Sequence, residues 1–208
     1  AASAPPSLKG IICEKPLAAN REQAEIAREL PRRYQIPILI AEQYRYNEEI
    51  DWIRDWIWQG RIGRVWYFMQ HRVVNFPAEM RENTFAAREW RQHPNFPGGI
   101  ITDIAVHDLA ALRHIFGAIE RVQALGNPIE ADFAPYGVLQ ANILFKSGFI
   151  GHYTFSCLGL EYQRPLVGLR IFGEHGQIYL EERDAGVVNI FFPDGSSQQI
   201  PYRPQRGF

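Results

Sequence analysis

Three side chains in this sequence, a lysine, an aspartate and a histidine, are of types that could together act on a hydroxyl group. Lys15 lies in Glu14-Lys15-Pro16, directly after the apolar run Gly10-Ile11-Ile12-Cys13. Asp103 and His107 belong to Gly98-Gly99-Ile100-Ile101-Thr102-Asp103-Ile104-Ala105-Val106-His107-Asp108. On a helix their spacing brings the two within about 40° of each other on one face. An imidazole titrates near neutrality and can take a proton, and a carboxylate one turn away can orient the ring or a bound alcohol. An ammonium can polarise the alcohol oxygen. Such a trio suits removal of a proton from an alcohol as hydride leaves its carbon.

Each part also has a plain structural explanation. A Glu-Lys turn can simply solvate a strand end, and an Asp-His pair at i,i+4 can add a little helix stability. The Gly98-Gly99 pair favours a site, because glycine lets another group lie close against the backbone. Asp103, His107 and Asp108 also offer metal ligands, which His71, His93, His114, His152 or His175 could complete. No ligand spacing beyond the one helical pair supports that, so no metal is expected.

Positioning these residues requires strands and helices that the pattern supplies. Residues 11–13 and 38–41 read as buried strands. Between them lies a helix capped by Asn20, carrying Ala24, Ile26, Ala27 and Leu30 and ending before Pro31. Asn47, followed by Glu48 and Glu49, opens a second helix with Ile50, Ile53 and Ile57 inward and Trp52 and Trp56 on a neighbouring line. Strand, helix, strand, helix implies a parallel sheet, and Lys15 falls at a strand end, where open α/β sheets hold ligands.

After Gly60-Arg61-Ile62-Gly63 the pattern changes to long strand-like runs, starting at Val65. Residues 75–97 form a polar, Pro- and Asn-rich excursion with a short helical stretch at 84–90, suited to a lid or pocket wall. A helix over 103–116 should bury Ile104, Leu109, Leu112 and Phe116 and stop at Gly117. Strands follow around 121–125, 138–145, 149–157, 169–172, 177–181 and 187–192, with hairpin-like turns at Lys146-Ser147-Gly148, Gly173-Glu174-His175-Gly176 and Pro193-Asp194-Gly195-Ser196. The fold class is therefore α+β: a remnant of a parallel sheet in 1–47, then a domain in 48–208 with a large, mostly antiparallel open sheet and helices on one face. The uncovered face calls for a partner subunit, so a homo-oligomer is expected.

With 208 residues and 46% hydrophobic residues the chain can bury a real core. A net charge of -1 provides no basic field for a phosphate backbone, which argues against nucleic acid as a partner. No run approaches the roughly 20 apolar residues that span a bilayer. Cys13 and Cys157, without CxxC or metal spacing, read as buried free thiols in a reducing compartment, and the cytoplasm is the expected location.

Taken in order, four segments resemble the glucose-fructose oxidoreductase/inositol dehydrogenase (Gfo/Idh/MocA) family. They are Gly10 to Asn20 around Glu14-Lys15-Pro16, Glu42-Gln43-Tyr44-Arg45-Tyr46-Asn47, Gln59-Gly60-Arg61-Ile62-Gly63, and Gly98 to His107. The resemblance implies a Rossmann domain followed by an α+β domain, with the active site between them and the open sheet at a subunit interface. It implies an NAD- or NADP-dependent oxidoreductase acting on a secondary alcohol of a sugar, cyclitol or similar polyol. Lys15, Asp103 and His107 would be catalytic; Arg45, Asp103 and His107 would bind substrate; Glu14 and Lys15 would meet the cofactor. It also implies a cis peptide at Lys15-Pro16. No GxGxxG follows an amino-terminal strand, so the phosphate-binding loop is absent from this chain. The chain is expected to be a carboxy-terminal fragment, inactive as it stands. The alternative within the same fold is a non-catalytic ligand-sensing or regulatory protein.

Overall fold

The computed structural model describes residues 7–76, 78, 81, 98–129, 134–158, 168–181 and 185–204. Two sheets organise them. A small parallel sheet pairs β1 (Ile11–Glu14) with β2 (Ile38–Ala41) in the register Ile11↔Ile38 to Glu14↔Ala41. Helix α1 (Arg21–Tyr34) connects them, with the Asn20 side chain accepting from the Gln23 backbone N–H at 3.0 Å. The expected stop before Pro31 is overtaken: α1 runs through it to Tyr34 and closes on Gln35 in the left-handed region at φ 53°. Proline removes one intrahelical hydrogen bond, and here that loss falls in the last turn, next to carbonyls that the helix leaves open anyway.

Both strands were expected to be buried, and they are not. Ile12 is 76% and Leu39 59% exposed. An apolar run marks a strand that needs cover, and among the described residues nothing covers that side of the pair.

The large sheet has the order β10-β9-β8-β7-β3-β6-β5-β4. Its strands are β3 (Val65–Val73), β4 (Ile119–Pro128), β5 (Tyr136–Phe145), β6 (Ile150–Ser156), β7 (Gly168–Gly173), β8 (Gly176–Leu180), β9 (Val187–Phe191) and β10 (Ser197–Pro201). All neighbours are antiparallel except β3 and β6, which run parallel. The three hairpin turns join β5 to β6, β7 to β8 and β9 to β10. The Pro193–Ser196 hairpin turn calls for a partner strand, whose bounds the sequence leaves open because Ser197-Gln198-Gln199 carries no apolar alternation; β10 is that partner.

One face of the sheet is covered by α2 (Glu48–Trp58) and α3 (Gly99–Phe116). α2 buries Ile50, Ile53 and Ile57, while Trp52 and Trp56 stack 6.3 Å apart at the margin of the core. At the centre Phe68 of β3 stacks on Phe116 of α3 at 4.6 Å, with Phe145 of β5 edge-on to Phe68. Gly151 of β6 makes room for this: a Cβ there would fall 2.1 Å from the Phe68 ring. α3 begins a turn earlier than the sequence suggested. It buries Leu112 and Phe116 as expected, leaves Ile104 and Leu109 only partly buried, and also buries the polar Asp103, His107 and Asp108.

The opposite sheet face carries Tyr67, Met69, Ile150, His152 and Phe191 and has no layer over it among the described residues. Cys157 is buried, and burial pushes its thiol up; Cys13, expected to be buried, is partly exposed. Both are free thiols. No helix among the described residues is long and apolar enough to cross a membrane. The excursion over residues 75–97 falls largely outside the described residues, as do its helical stretch at 84–90 and His93.

Candidate functional site

Lys15 directly follows β1, is joined to Pro16 by a cis peptide bond, and lies at the carboxyl end of the parallel pair. Its Nζ reaches α3, donating at 2.9 Å to Asp103 Oδ1 and at 2.9 Å to the Asp103 backbone oxygen. The Asp103 side chain is 6% exposed and that of Lys15 17%, so this ion pair is largely withdrawn from water. Opposite charges held in so little solvent interact more strongly than a surface pair.

One turn further along α3, His107 is gripped from two directions. Its Nδ1 lies 2.8 Å from Glu42 Oε1, and the Tyr44 ring stacks on the imidazole with centroids 4.4 Å apart at 17°. Glu42 is itself fixed, because the same Oε1 accepts from the Tyr44 backbone N–H at 3.1 Å and caps the 3-10 turn Gln43–Tyr46. Among the described residues His107 Nε2 makes no hydrogen bond, which leaves it available to a ligand. Beside it, Arg72 of β3 clasps Asp108 through Nε at 3.1 Å and Nη2 at 2.5 Å, and Tyr153 of β6 donates to Asp108 at 3.1 Å. Burial alone would lower the Arg72 guanidinium, but the charge and hydrogen bonds of Asp108 outweigh it and hold Arg72 above the usual arginine range. The Tyr153 hydroxyl is pushed well up, first by burial and then by Asp108. A cavity of about 40 Å³ adjoins this network, lined by Tyr44, Asn47, Gln70, Arg72 and Asp108 among others, room for a water or two.

The structure thus brings Lys15, Asp103 and His107 to one side of one helix. It does not bring Arg45 to them. The Arg45 Nη1 sits 3.2 Å from His114 Nε2 and 3.9 Å from Asp51, in a cluster with Arg54 two turns, or about 10 Å, further along α3. Glu14 is exposed at the end of β1. Gly98 has its own occupant rather than a ligand: a Cβ there would meet Thr102 Oγ1 at 1.5 Å. Gly99 takes φ 50°, which favours glycine. Among the described residues no group of three or more His, Cys, Asp and Glu is placed to hold a metal ion.

Sequence reasoning passed over Glu42, Tyr44, Arg72 and Tyr153. A signal for Glu42 existed. The register Glu14↔Ala41 aligns the residues that follow each strand, so Lys15 and Glu42 emerge side by side at one sheet end. The residue after each parallel strand is the position to inspect.

An open, mixed eight-stranded sheet backed by helices, attached at the carboxyl end of a parallel pair with its ionisable residues gathered at the junction, defines an α+β domain joined to a piece of α/β sheet. The chain belongs to the GFO/IDH/MocA family: the model of that family's C-terminal domain matches residues 50–179. Among curated relatives, the Saccharomyces cerevisiae protein YMR315W is 28% identical over 178 residues, 85% of this chain and 49% of that protein. The 1,5-anhydro-D-fructose reductase of Ensifer adhaerens is 27% identical over 206 residues, 94% of this chain and 58% of the reductase. A levoglucosan dehydrogenase solved with NADH and L-sorbose shares the fold at a TM-score of 0.75 and 19% identity, over 96% of this chain and 59% of that one. The chain spans about half the length of the curated relatives it matches.

Proposed function

We propose that the full-length protein containing this chain is an NAD- or NADP-dependent oxidoreductase that oxidises a secondary alcohol of a sugar, cyclitol or similar polyol, or reduces the corresponding ketone. The observation that carries the reading is the Lys15 ammonium spanning from the end of β1 to Asp103, one helical turn before a His107 whose Nε2 makes no hydrogen bond among the described residues. Residues 1–47 and 48–208 divide as the end of a dinucleotide-binding domain and a substrate domain, which places this cluster at their junction.

The residues fit a nicotinamide in one respect that bears on this chain. Glu14 and Lys15 lie at the carboxyl end of a parallel strand pair, the usual ligand position of such sheets. Nicotinamide, when bound, supplies the hydride acceptor. Lys15 polarises the substrate hydroxyl, Asp103 binds substrate and holds the Lys15 ammonium, and His107 takes the hydroxyl proton at Nε2 as the carbon loses hydride and the C–O bond becomes C=O. The reductase and the levoglucosan dehydrogenase among the relatives support a sugar-like substrate.

Purified full-length protein is expected to turn over NAD or NADP with at least one member of a sugar and cyclitol panel, read as nicotinamide absorbance. Lys15→Met should lower kcat by about 10²- to 10³-fold, the usual effect of deleting one electrostatic group aimed at developing charge. Absence of turnover across the panel with cofactor bound would sink the assignment.

The open sheet face supports self-association. It exposes Tyr67, Met69 and Ile150 around a trough of about 560 Å³ that also involves Arg121 and Asn142. Sedimentation velocity on the full-length protein is expected to show a dimer or larger assembly; a monomer at tens of micromolar would refute this. A reducing compartment, the cytoplasm, suits the free thiols.

A further inference from the structure

We propose that Glu42 is the positioning residue of His107: it selects the Nδ1–H tautomer and so presents Nε2 as a bare acceptor. This rests on the reading of His107 as the proton acceptor. Taken as a carboxylate, Glu42 can only accept hydrogen bonds, which assigns the proton of this contact to His107 Nδ1. At 2.8 Å the contact has the length of a charge-assisted bond, and both side chains are about nine-tenths buried. A second-layer hydrogen bond of this kind is what decides which imidazole nitrogen carries the proton.

The geometry leaves little freedom. The Tyr44 ring blocks one face of the imidazole, and the Tyr44 backbone N–H holds the same oxygen that faces His107, so carboxylate and imidazole are both held by one residue. The charged neighbours of His107 on α3 are paired. Lys15 and Asp103 neutralise each other one turn earlier on α3, and Asp108, next in sequence, is neutralised by Arg72 with Tyr153 donating to it. Among the described residues, Glu42 is the carboxylate whose partner is the His107 imidazole. Its second oxygen, Oε2, is buried without a hydrogen-bond partner among the described residues.

Once the substrate proton reaches Nε2, the ring is an imidazolium with both nitrogens protonated. Glu42 then faces a positive charge and stabilises it, and the proton returns from Nε2 in the reductive direction.

The test uses full-length protein with 15N-labelled histidine, His107 signals being assigned by their disappearance in His107→Asn. Long-range 1H–15N correlations are expected to show neutral His107 protonated at Nδ1, the less common form of histidine in water. Glu42→Ala should return the ring towards Nε2–H and lower kcat by about 10- to 100-fold, with KM little changed. Glu42→Gln keeps an acceptor for Nδ1–H and for the Tyr44 N–H, so it should fold normally, retain the tautomer and show a smaller loss of kcat. Finding Nε2–H in the wild type, or a Glu42→Ala protein with unchanged tautomer or unchanged kcat, would overturn the proposal. If His107→Asn leaves kcat intact, the functional reading fails first, and the NMR arm still decides whether Glu42 sets the tautomer.

Discussion

Replacing His107 by asparagine in the full-length protein is expected to lower kcat by about 10²- to 10⁴-fold, the range for loss of a general acid/base. kcat and kcat/KM should fall together, because proton transfer is made only in the transition state. Asparagine is the informative substitution. Its amide can still donate towards Glu42 Oε1, so the carboxylate is not abandoned in a buried site, whereas alanine would mix a folding penalty into the rate. Steady-state kinetics with circular dichroism as a control reads the result. A loss below about tenfold in a folded protein would remove His107 from the proton path.

Arg72→Met is expected to be the most damaging single change to stability outside the aromatic core. Asp108 is 4% exposed, and among the described residues Arg72 supplies its positive partner through two hydrogen bonds. Breaking a buried pair from one side typically costs about 3–5 kcal/mol, because the remaining charge is left without compensation. Methionine fills much of the vacated length without adding a donor. Urea unfolding should show a lower midpoint at unchanged slope, and Arg72→Met/Asp108→Asn should recover part of the loss. A change under about 1 kcal/mol in the single variant would mean that Asp108 is solvated in a way its burial contradicts. The effect on turnover should be secondary, through the seating of α3 against β3.

What the sequence disclosed, it disclosed through local physics. The period-two alternation of β5 to β8, the Gly-containing turns between them, the isoleucine stripe of α2 and the Gly117 stop of α3 are all set by residues within a few positions of one another, and all were readable. The helical spacing of Asp103 and His107 was readable for the same reason, and Lys15 through the strand that precedes it. The order of the large sheet was not, because nothing in Val65–Val73 states that it pairs with β6 on one side and β7 on the other; that is decided by Phe68 fitting over Gly151 and under Phe116. Likewise Glu42 and His107 meet only after β2 and α3 have docked, and Arg72 and Asp108 only after α3 lies on the sheet. β1 and β2 misled in the opposite way: their apolar runs correctly signal a need for cover, and the described residues do not supply it.

The place of β3 has a consequence for how this protein must be made. It is a nine-residue strand whose neighbours, β6 and β7, are encoded far downstream of it. During synthesis its backbone donors and acceptors remain bare on both sides until most of the sheet has left the ribosome, which makes folding slow and exposes a sticky edge to other nascent chains. Truncations that end before Gly168 should therefore clump rather than yield a smaller soluble domain, since they strand β3 with one side permanently unzipped.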